Sequence, residues 1–210
     1  MEHTIKNQNV ANALLIFLRW PEPGAVKTRL ARDIGDQEAA EVYRRLAEST
    51  LDAARALANR CRTVTFYTPQ ERGKDIERWV GPDFEYVPQI EGDLGSRMAA
   101  AFRYVFEAGA GCAVIIGTDC PFITPDLLDR SFHLLDENDI VIGPAKDGGY
   151  YLLGMKVLRK ELFEGIPWSS SEVFPTTLDR IRRAGWSCAQ LPELFDVDRV
   201  EDLRAWELTK

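Results

Sequence analysis

Apolar bursts alternate along the chain with stretches whose apolar residues recur every three to four positions, the pattern of strands interleaved with helices around a mainly parallel sheet. Residues 13–18, Ala-Leu-Leu-Ile-Phe-Leu, are apolar throughout, which predicts a first strand buried on both faces. From Asp36, a plausible helix cap, the residues Ala39, Val42, Tyr43, Leu46, Thr50, Leu51, Ala54 and Leu57 keep helical spacing through Arg60. The second strand is expected at 63–68, followed by a short helix over 75–80 and a short strand at 85–88. Pro88 limits how far that last strand can pair centrally.

Leu94, Met98, Ala101, Phe102, Val105 and Phe106 mark a helix over 94–107 that leads into a strand at 113–117. Thr124 caps and Pro125 opens the next helix, the favoured position for proline. Strands are then expected at 139–143 and 150–154, separated by a glycine-rich turn. A helix at 172–184, a strand at 188–191 and a helix at 200–208 complete the chain. No linker, repeat or low-complexity tract interrupts it, so residues 1–210 read as a single α/β domain, with 1–12 expected as a flexible amino-terminal segment.

Composition narrows the function classes. A hydrophobic fraction of 45% with 28% charged residues suits a folded globular core. The net charge of −7 disfavours a nucleic-acid surface as the main partner, while leaving room for a local cationic pocket that holds a small anion. Cys61, Cys112, Cys120 and Cys188 are widely spaced, form no CxxC pair, and read as reduced, buried thiols. The apolar run at 13–18 is too short for a signal peptide or a membrane span, which places the protein in the cytoplasm as an expectation.

Five segments carry candidate chemistry. In the first, the apolar strand runs into Pro21-Glu22-Pro23-Gly24-Ala25-Val26-Lys27-Thr28-Arg29, where prolines stiffen a turn, Gly24 permits close backbone approach, and Lys27 and Arg29 supply charge for an anion. A solvated surface loop fits these residues too, because they match neither the Walker nor the Rossmann glycine pattern. In the second, Gly117-Thr118-Asp119-Cys120-Pro121 puts Asp119 at the carboxyl end of a buried strand, where ligands of open α/β sheets collect. A hard carboxylate there suits Mg²⁺ or Mn²⁺, or else only caps the turn.

The third segment, Asp147-Gly148-Gly149-Tyr150-Tyr151, is also a common hairpin turn. The fourth, Glu91-Gly92-Asp93-Leu94-Gly95-Ser96-Arg97, has glycines that could admit a base or ribose, and Asp93 could simply cap the helix. In the fifth, Asp198 and Glu201 have the spacing of a capping box, and Asp198 is equally suited to a second metal-ligand role. His3, in a polar terminus, and His133, in a predicted helix with no motif around it, are poor catalytic candidates.

Taken in order, these segments resemble a family labelled as glycosyltransferases within the GT-A-fold nucleotide-diphospho-sugar transferase superfamily. The matching pieces are Pro23-Gly24-x-Val26-Lys27-Thr28-Arg29-Leu30, Glu91-Gly-Asp-Leu-Gly-x-Arg-Met98, Gly117-x-Asp-Cys-Pro121, Gly143-Pro-Ala-x-Asp-Gly-Gly-Tyr-Tyr151, Pro167-Trp-Ser169, and Asp196-Val-Asp198 with Glu201-Asp-Leu203. They span residues 13 to 203. More distantly the chain is similar to the molybdenum cofactor and phospholactate guanylyltransferases, through the Asp-x-Pro step after a central strand.

The resemblance implies a three-layer, Rossmann-like α/β fold with a mainly parallel twisted sheet and one antiparallel strand, expected after Asp147. It implies a nucleotide subsite at Gly24, Lys27, Arg29, Gly92, Gly95 and Arg97, and an acceptor side at Asp147, Gly148, Gly149, Tyr150, Trp168 and Ser169. Mg²⁺ or Mn²⁺ would sit at Asp119 and Asp198, and Lys27, Arg29, Asp119 and Asp147 would carry catalysis.

The expected partners are a nucleoside triphosphate or nucleotide sugar and a small-molecule acceptor. A single carboxylate at Asp119, where many GT-A glycosyltransferases carry Asp-x-Asp, leans toward nucleotidyl transfer, while a first loop with few glycines keeps sugar transfer as the alternative. A nucleotide sensor or scaffold without turnover is the non-enzyme alternative.

Overall fold

The computed structural model describes residues 12–209. Seven strands form one sheet in the order β3-β2-β1-β4-β6-β5-β7: β1 (Asn12–Arg19), β2 (Arg62–Thr68), β3 (Glu85–Pro88), β4 (Cys112–Ile116), β5 (Ile140–Pro144), β6 (Tyr150–Met155) and β7 (Cys188–Gln190). β1 pairs in parallel with β2 and β4, β2 with β3, and β5 with β7. β6 runs antiparallel to both β4 and β5, where the antiparallel strand is expected. The short, proline-ended β3 lies at one edge, the place a missing N–H is tolerated.

The helices are α1 (Thr28–Ile34), α2 (Asp36–Arg55), α3 (Gly73–Val80), α4 (Leu94–Glu107), α5 (Pro125–Glu137), α6 (Val173–Arg183) and α7 (Val200–Glu207). Alternate residues of the central strands feed two separate cores. Leu14, Ile16, Val114 and Ile116 pack with Tyr43, Ala47 and Leu51 of α2 and with Leu128 and Phe132 of α5. Ala13, Leu15, Ala113 and Ile115 pack with Met98, Ala101 and Phe102 of α4 and with Ile181 of α6.

Helices therefore cover both faces, giving the three-layer Rossmann-like arrangement of the GT-A fold. It also explains why residues 13–18 carry no polar face. Each fully buried Leu, Ile or Val side chain of this set contributes about 1.5–3 kcal/mol relative to exposure. A third cluster joins Leu30 of α1 and Val42 and Leu46 of α2 to Val197, Leu203 and Trp206.

Local chemistry settled the ends of several elements. Thr124 Oγ1 accepts the Leu127 N–H at 3.1 Å and so caps α5. Asp93 Oδ1 accepts the Ser96 N–H at 2.7 Å, and the bonds to Ser96 hold this carboxyl below its usual range. Asp36 is not a cap: it is the first residue of α2, and Gly35 precedes it at φ 86° with no side-chain capping bond. The helix ends at Arg55, and residues 56–60 form turns closed by Leu57 N–H to Ala54 O and Arg60 N–H to Leu57 O.

The capping carboxylate of α7 is Asp202, which accepts the N–H groups of Asp198 and Arg199, and not Glu201. α1 was not predicted, because seven residues burying only Leu30 leave no periodic signal. All four cysteines are free thiols, with Cys61 and Cys120 buried and Cys112 and Cys188 partly exposed. Residues 1–11 of the expected amino-terminal segment lie outside the described residues, and Asn12 opens β1.

Candidate functional site

The strand order departs in opposite directions from β1 and β4, and ligand crevices of open α/β sheets form outside the carboxyl ends of such a pair. A cleft of about 810 Å³ opens there. Arg19 and the turn after β1, Gly117 to Cys120 after β4, the start of β6, residues 168–171 and the segment at 196–198 all contribute to its walls.

Lys27 sits at the centre. Its Nζ lies 2.5 Å from Asp119 Oδ1 and 3.1 Å from Asp198 Oδ1, and its side chain is only 3% exposed. Arg29, 57% exposed, reaches Asp198 Oδ2 at 3.4 Å. Burial works against the ammonium, but Asp119 and Asp198 outweigh it and raise the Lys27 pKa above its ordinary value. Lys27 also has left-handed backbone angles, φ 48° and ψ 41°, as the residue before α1. For a non-glycine residue that conformation costs on the order of 1–2 kcal/mol. Strain of this kind clusters at functional sites.

The 194–198 segment reaches the cleft through backbone bonds: Leu194 N–H to Pro144 O at 3.1 Å, Lys146 N–H to Leu194 O at 2.9 Å, and Val197 N–H to Asp119 O at 3.1 Å. Val197 is wholly buried, whereas Asp196 and Asp198 both line the cleft. Asp196 Oδ1 is buried with no hydrogen-bond partner. Burial, with Asp119 next, pushes the Asp196 carboxyl up to about 7, against the pull of Lys27 and with further contributions from Asp147 and Asp198.

Behind these groups, Tyr43 Oη accepts the Arg19 N–H at 2.8 Å and lies 2.9 Å from Thr118 Oγ1. The pair ties the ends of β1 and β4 together. Burial and the Asp119 charge push the Tyr43 phenol up to about 12.

The predicted site residues divide into two groups. Lys27, Arg29, Arg97, Asp119, Asp147, Gly149, Tyr150, Trp168, Ser169 and Asp198 all line the one cleft. Gly24, Gly92, Gly95 and Gly148 lie outside its lining. Gly95 instead lets α4 approach Trp168, since a Cβ there would meet Trp168 Cζ2 at 2.6 Å and Phe163 O at 2.8 Å. Gly148, at φ 89°, passes against the backbone of Ser171. Arg97 Nε donates to Gly92 O at 2.9 Å, closing the turn that holds both. His133 is exposed on α5, its Nδ1 3.0 Å from Asp129 O, away from the cleft.

The sequence reading did not assign Asp196, Arg19, or the Tyr43–Thr118 pair. Asp196 stood in the Asp-Val-Asp motif, but alternate residues of an extended segment need share no role. Among the described residues no group of three or more His, Cys, Asp or Glu side chains is arranged to hold a metal ion. Also among them, no helix is long and apolar enough to cross a membrane.

A strand-order switch with cations from the β1 turn facing carboxylates beyond β4 and β7 defines a member of the GT-A-fold superfamily of nucleotidyltransferases and nucleotide-diphospho-sugar transferases. Residues 50–170 match the family described as "Uncharacterized protein conserved in bacteria (DUF2064)", and the chain belongs to that family. A protein of Desulfovibrio desulfuricans G20, described as a "putative nucleotide-diphospho-sugar transferase", is 34% identical; the alignment covers 95% of this chain and 87% of that one, with a TM-score of 0.89.

A nucleotidyl transferase of Methanothermobacter thermautotrophicus shares the fold at 16% identity and a TM-score of 0.62, over 94% of this chain and 96% of that one. Rv0371c of Mycobacterium tuberculosis H37Rv, in complex with manganese, does so at 15% identity and a TM-score of 0.56, over 92% and 96%. No curated protein matches the chain.

Proposed function

We propose that the protein is a metal-dependent transferase that takes a nucleoside triphosphate or nucleotide sugar as donor, with nucleotidyl transfer favoured. The observation that carries this reading is the buried Lys27 ammonium, clamped between Asp119 and Asp198 on a strained backbone in the wall of the cleft. A lysine so placed is preorganised for the phosphates of a donor, and Arg29 and Arg97 extend the positive wall. Lys27, Arg29, Asp119 and Asp147 are the groups assigned to catalysis.

Mg²⁺ or Mn²⁺ fits this donor set. Asp119 and Asp198 are hard oxygen ligands, they already share one cation, Lys27 Nζ, and the carboxyl oxygen of Asp196 next to them lacks a partner. The manganese complex of the fold relative Rv0371c supports the same expectation. Bound there, the ion would supply charge stabilisation to the phosphates. Lys27 and Arg29 would stabilise the negative charge that develops on the leaving pyrophosphate, and Asp147 would orient the attacking group. No covalent nucleophile is needed, and the buried Cys120 thiol, pushed up to about 12 chiefly by burial, is unsuited to the role.

Sugar transfer from a nucleotide sugar is the second reading, favoured by the description of the Desulfovibrio relative. A thermal-shift panel of triphosphates and nucleotide sugars, with and without Mg²⁺ or Mn²⁺, separates the two, because a ligand that binds only the native state raises its melting point. We expect a metal-dependent shift with one triphosphate, lost in Lys27→Ala. Asp119→Asn should stay folded yet lose metal-dependent pyrophosphate release. A shift with nucleotide sugars only would assign sugar transfer, and no shift with any member would remove the donor-site reading.

A further inference from the structure

The four basic residues of the cleft are not equally compensated. Lys27 and Arg29 are paired with Asp119 and Asp198, and Asp147 and Asp196 belong to the same cluster, close enough for their charges to act on one another. Two cations therefore meet four carboxylates, or three where Asp196 holds a proton. In either state this cluster is net negative, and without a divalent ion it opposes a polyphosphate.

Arg19 and Arg97 lack such partners. Among the described residues neither guanidinium is in an ion pair with a carboxylate. Arg97 Nε donates to Gly92 O at 2.9 Å, and Asp93, bonded to Ser96, feels the Arg97 charge without pairing with it. The strand period of two accounts for where they stand. Arg19 continues the row Ala13, Leu15 and Phe17, which packs on the α4 side of the sheet, and Arg97 lies in the first turn of α4.

A recess of about 650 Å³ adjoins the cleft, and the lining residues common to both are Arg19, Val26 and Arg97. The boundary between the two cavities is therefore basic. Arg72, the third arginine of the recess, is engaged: it bonds Glu22 at 2.9 Å and Asp75 at 3.3 Å, and its guanidinium lies over the Trp20 ring, 5.4 Å from the centroid. With Glu71, which also lines the recess, three arginines stand there against two glutamates. In a chain of net charge −7, two uncompensated guanidinium groups at one boundary mark a place for an anion.

We infer that Arg19 and Arg97 form an anion subsite, distinct from the Lys27 cluster, that holds a phosphate group of a substrate without help from a metal ion. The inference deepens the transferase reading above and rests on it for the kind of ligand. The phosphate belongs either to the donor's polyphosphate chain or to a phosphorylated acceptor. The chemistry recognised is the same, forked N–H groups on phosphate oxygens. Lys27, already held by two carboxylates, contributes little to this contact.

Phosphorus NMR on the full chain, titrated with inorganic triphosphate in EDTA at about 0.15 M salt, tests the subsite. We expect binding without metal, weakened roughly tenfold in Arg19→Gln and in Arg97→Gln, the low end for a hydrogen bond to a charged group. Arg19→Lys, which keeps the charge, should retain most of the affinity. Lys27→Met should weaken binding less than either glutamine variant. Glycerol phosphate then identifies the source, on adding the nucleotide and Mg²⁺ that give the largest thermal shift. Displacement of this monoester, or its failure to bind at all, assigns the pair to the donor's chain. Retained binding that Arg19→Gln weakens assigns it to the acceptor's phosphate.

Triphosphate binding in EDTA that neither glutamine variant weakens would overturn the inference, as would its loss in Lys27→Met alone or the absence of any binding without metal. The donor reading is judged separately by the metal-dependent thermal shift. If no nucleotide gives that shift while triphosphate still needs both arginines, the donor reading falls and the subsite stands.

Discussion

At the scale of single residues, Lys27 is where local cost and local charge meet. Its left-handed backbone and buried ammonium are unfavourable separately, and the two carboxylates offset both. In Lys27→Met stability should fall by roughly 1–3 kcal/mol, less than the ~3–5 kcal/mol of a fully buried pair, because Asp119 and Asp198 are 47% and 37% exposed. The same variant should bind Mn²⁺ more tightly, since the carboxylates lose a competing cation. Urea denaturation and the electron-spin signal of free Mn²⁺ measure the two effects, and unchanged Mn²⁺ affinity would count against Asp119 and Asp198 as ligands.

Asp196 gives a pH prediction. Its folded pKa of about 7 lies above the unfolded value near 3.9, so between these the folded protein binds more protons. Stability from this group is fully present below about pH 4 and is lost as pH rises through 7. Asp196→Asn should therefore gain melting temperature relative to wild type at pH 8, and less at pH 5, in metal-free buffer.

At the scale of elements, the contact between α4 and residues 163–168 depends on the absence of a side chain at Gly95. Gly95→Ala adds good helix propensity. Its Cβ nonetheless collides with a carbonyl and an indole, so the variant should lose about 1–3 kcal/mol. Restored stability in the double variant Gly95→Ala/Trp168→Ala would locate the cost at the ring. Element positions were largely legible in the sequence because burial on one or two faces leaves a period of 3.6 or an unbroken apolar run, as in 94–107 and 13–18. α1 escaped because seven residues with one buried side chain make no period; the Asp36 assignment failed because Gly35, at φ 86°, takes the position before the helix with no side-chain bond, and the Glu201 assignment failed because Asp202 accepts the backbone N–H groups instead.

At the scale of the whole molecule, protection should follow depth in the sheet. β1 lies between β2 and β4 with Ala13, Leu14, Leu15, Ile16 and Leu18 buried, whereas β3 and β7 are short edge strands. Hydrogen exchange should be slowest at β1 and β4 and fastest at β3 and β7. Early exchange of β1 would contradict the packing described.

The sequence by itself determined the alternation of elements, the two-sided burial of the central strand, and the residue types offered at each strand end, because these follow from local periodicity and turn chemistry. Tertiary structure alone decided that Lys27, Asp119 and Asp198 share one charge cluster, that Asp196 points a partnerless oxygen into buried space, and that Trp168 rests on Gly95. The reason is distance along the chain. A run of residues records how each is buried, but a pocket is made by segments up to 171 positions apart, and which of them meet is set by strand order and register.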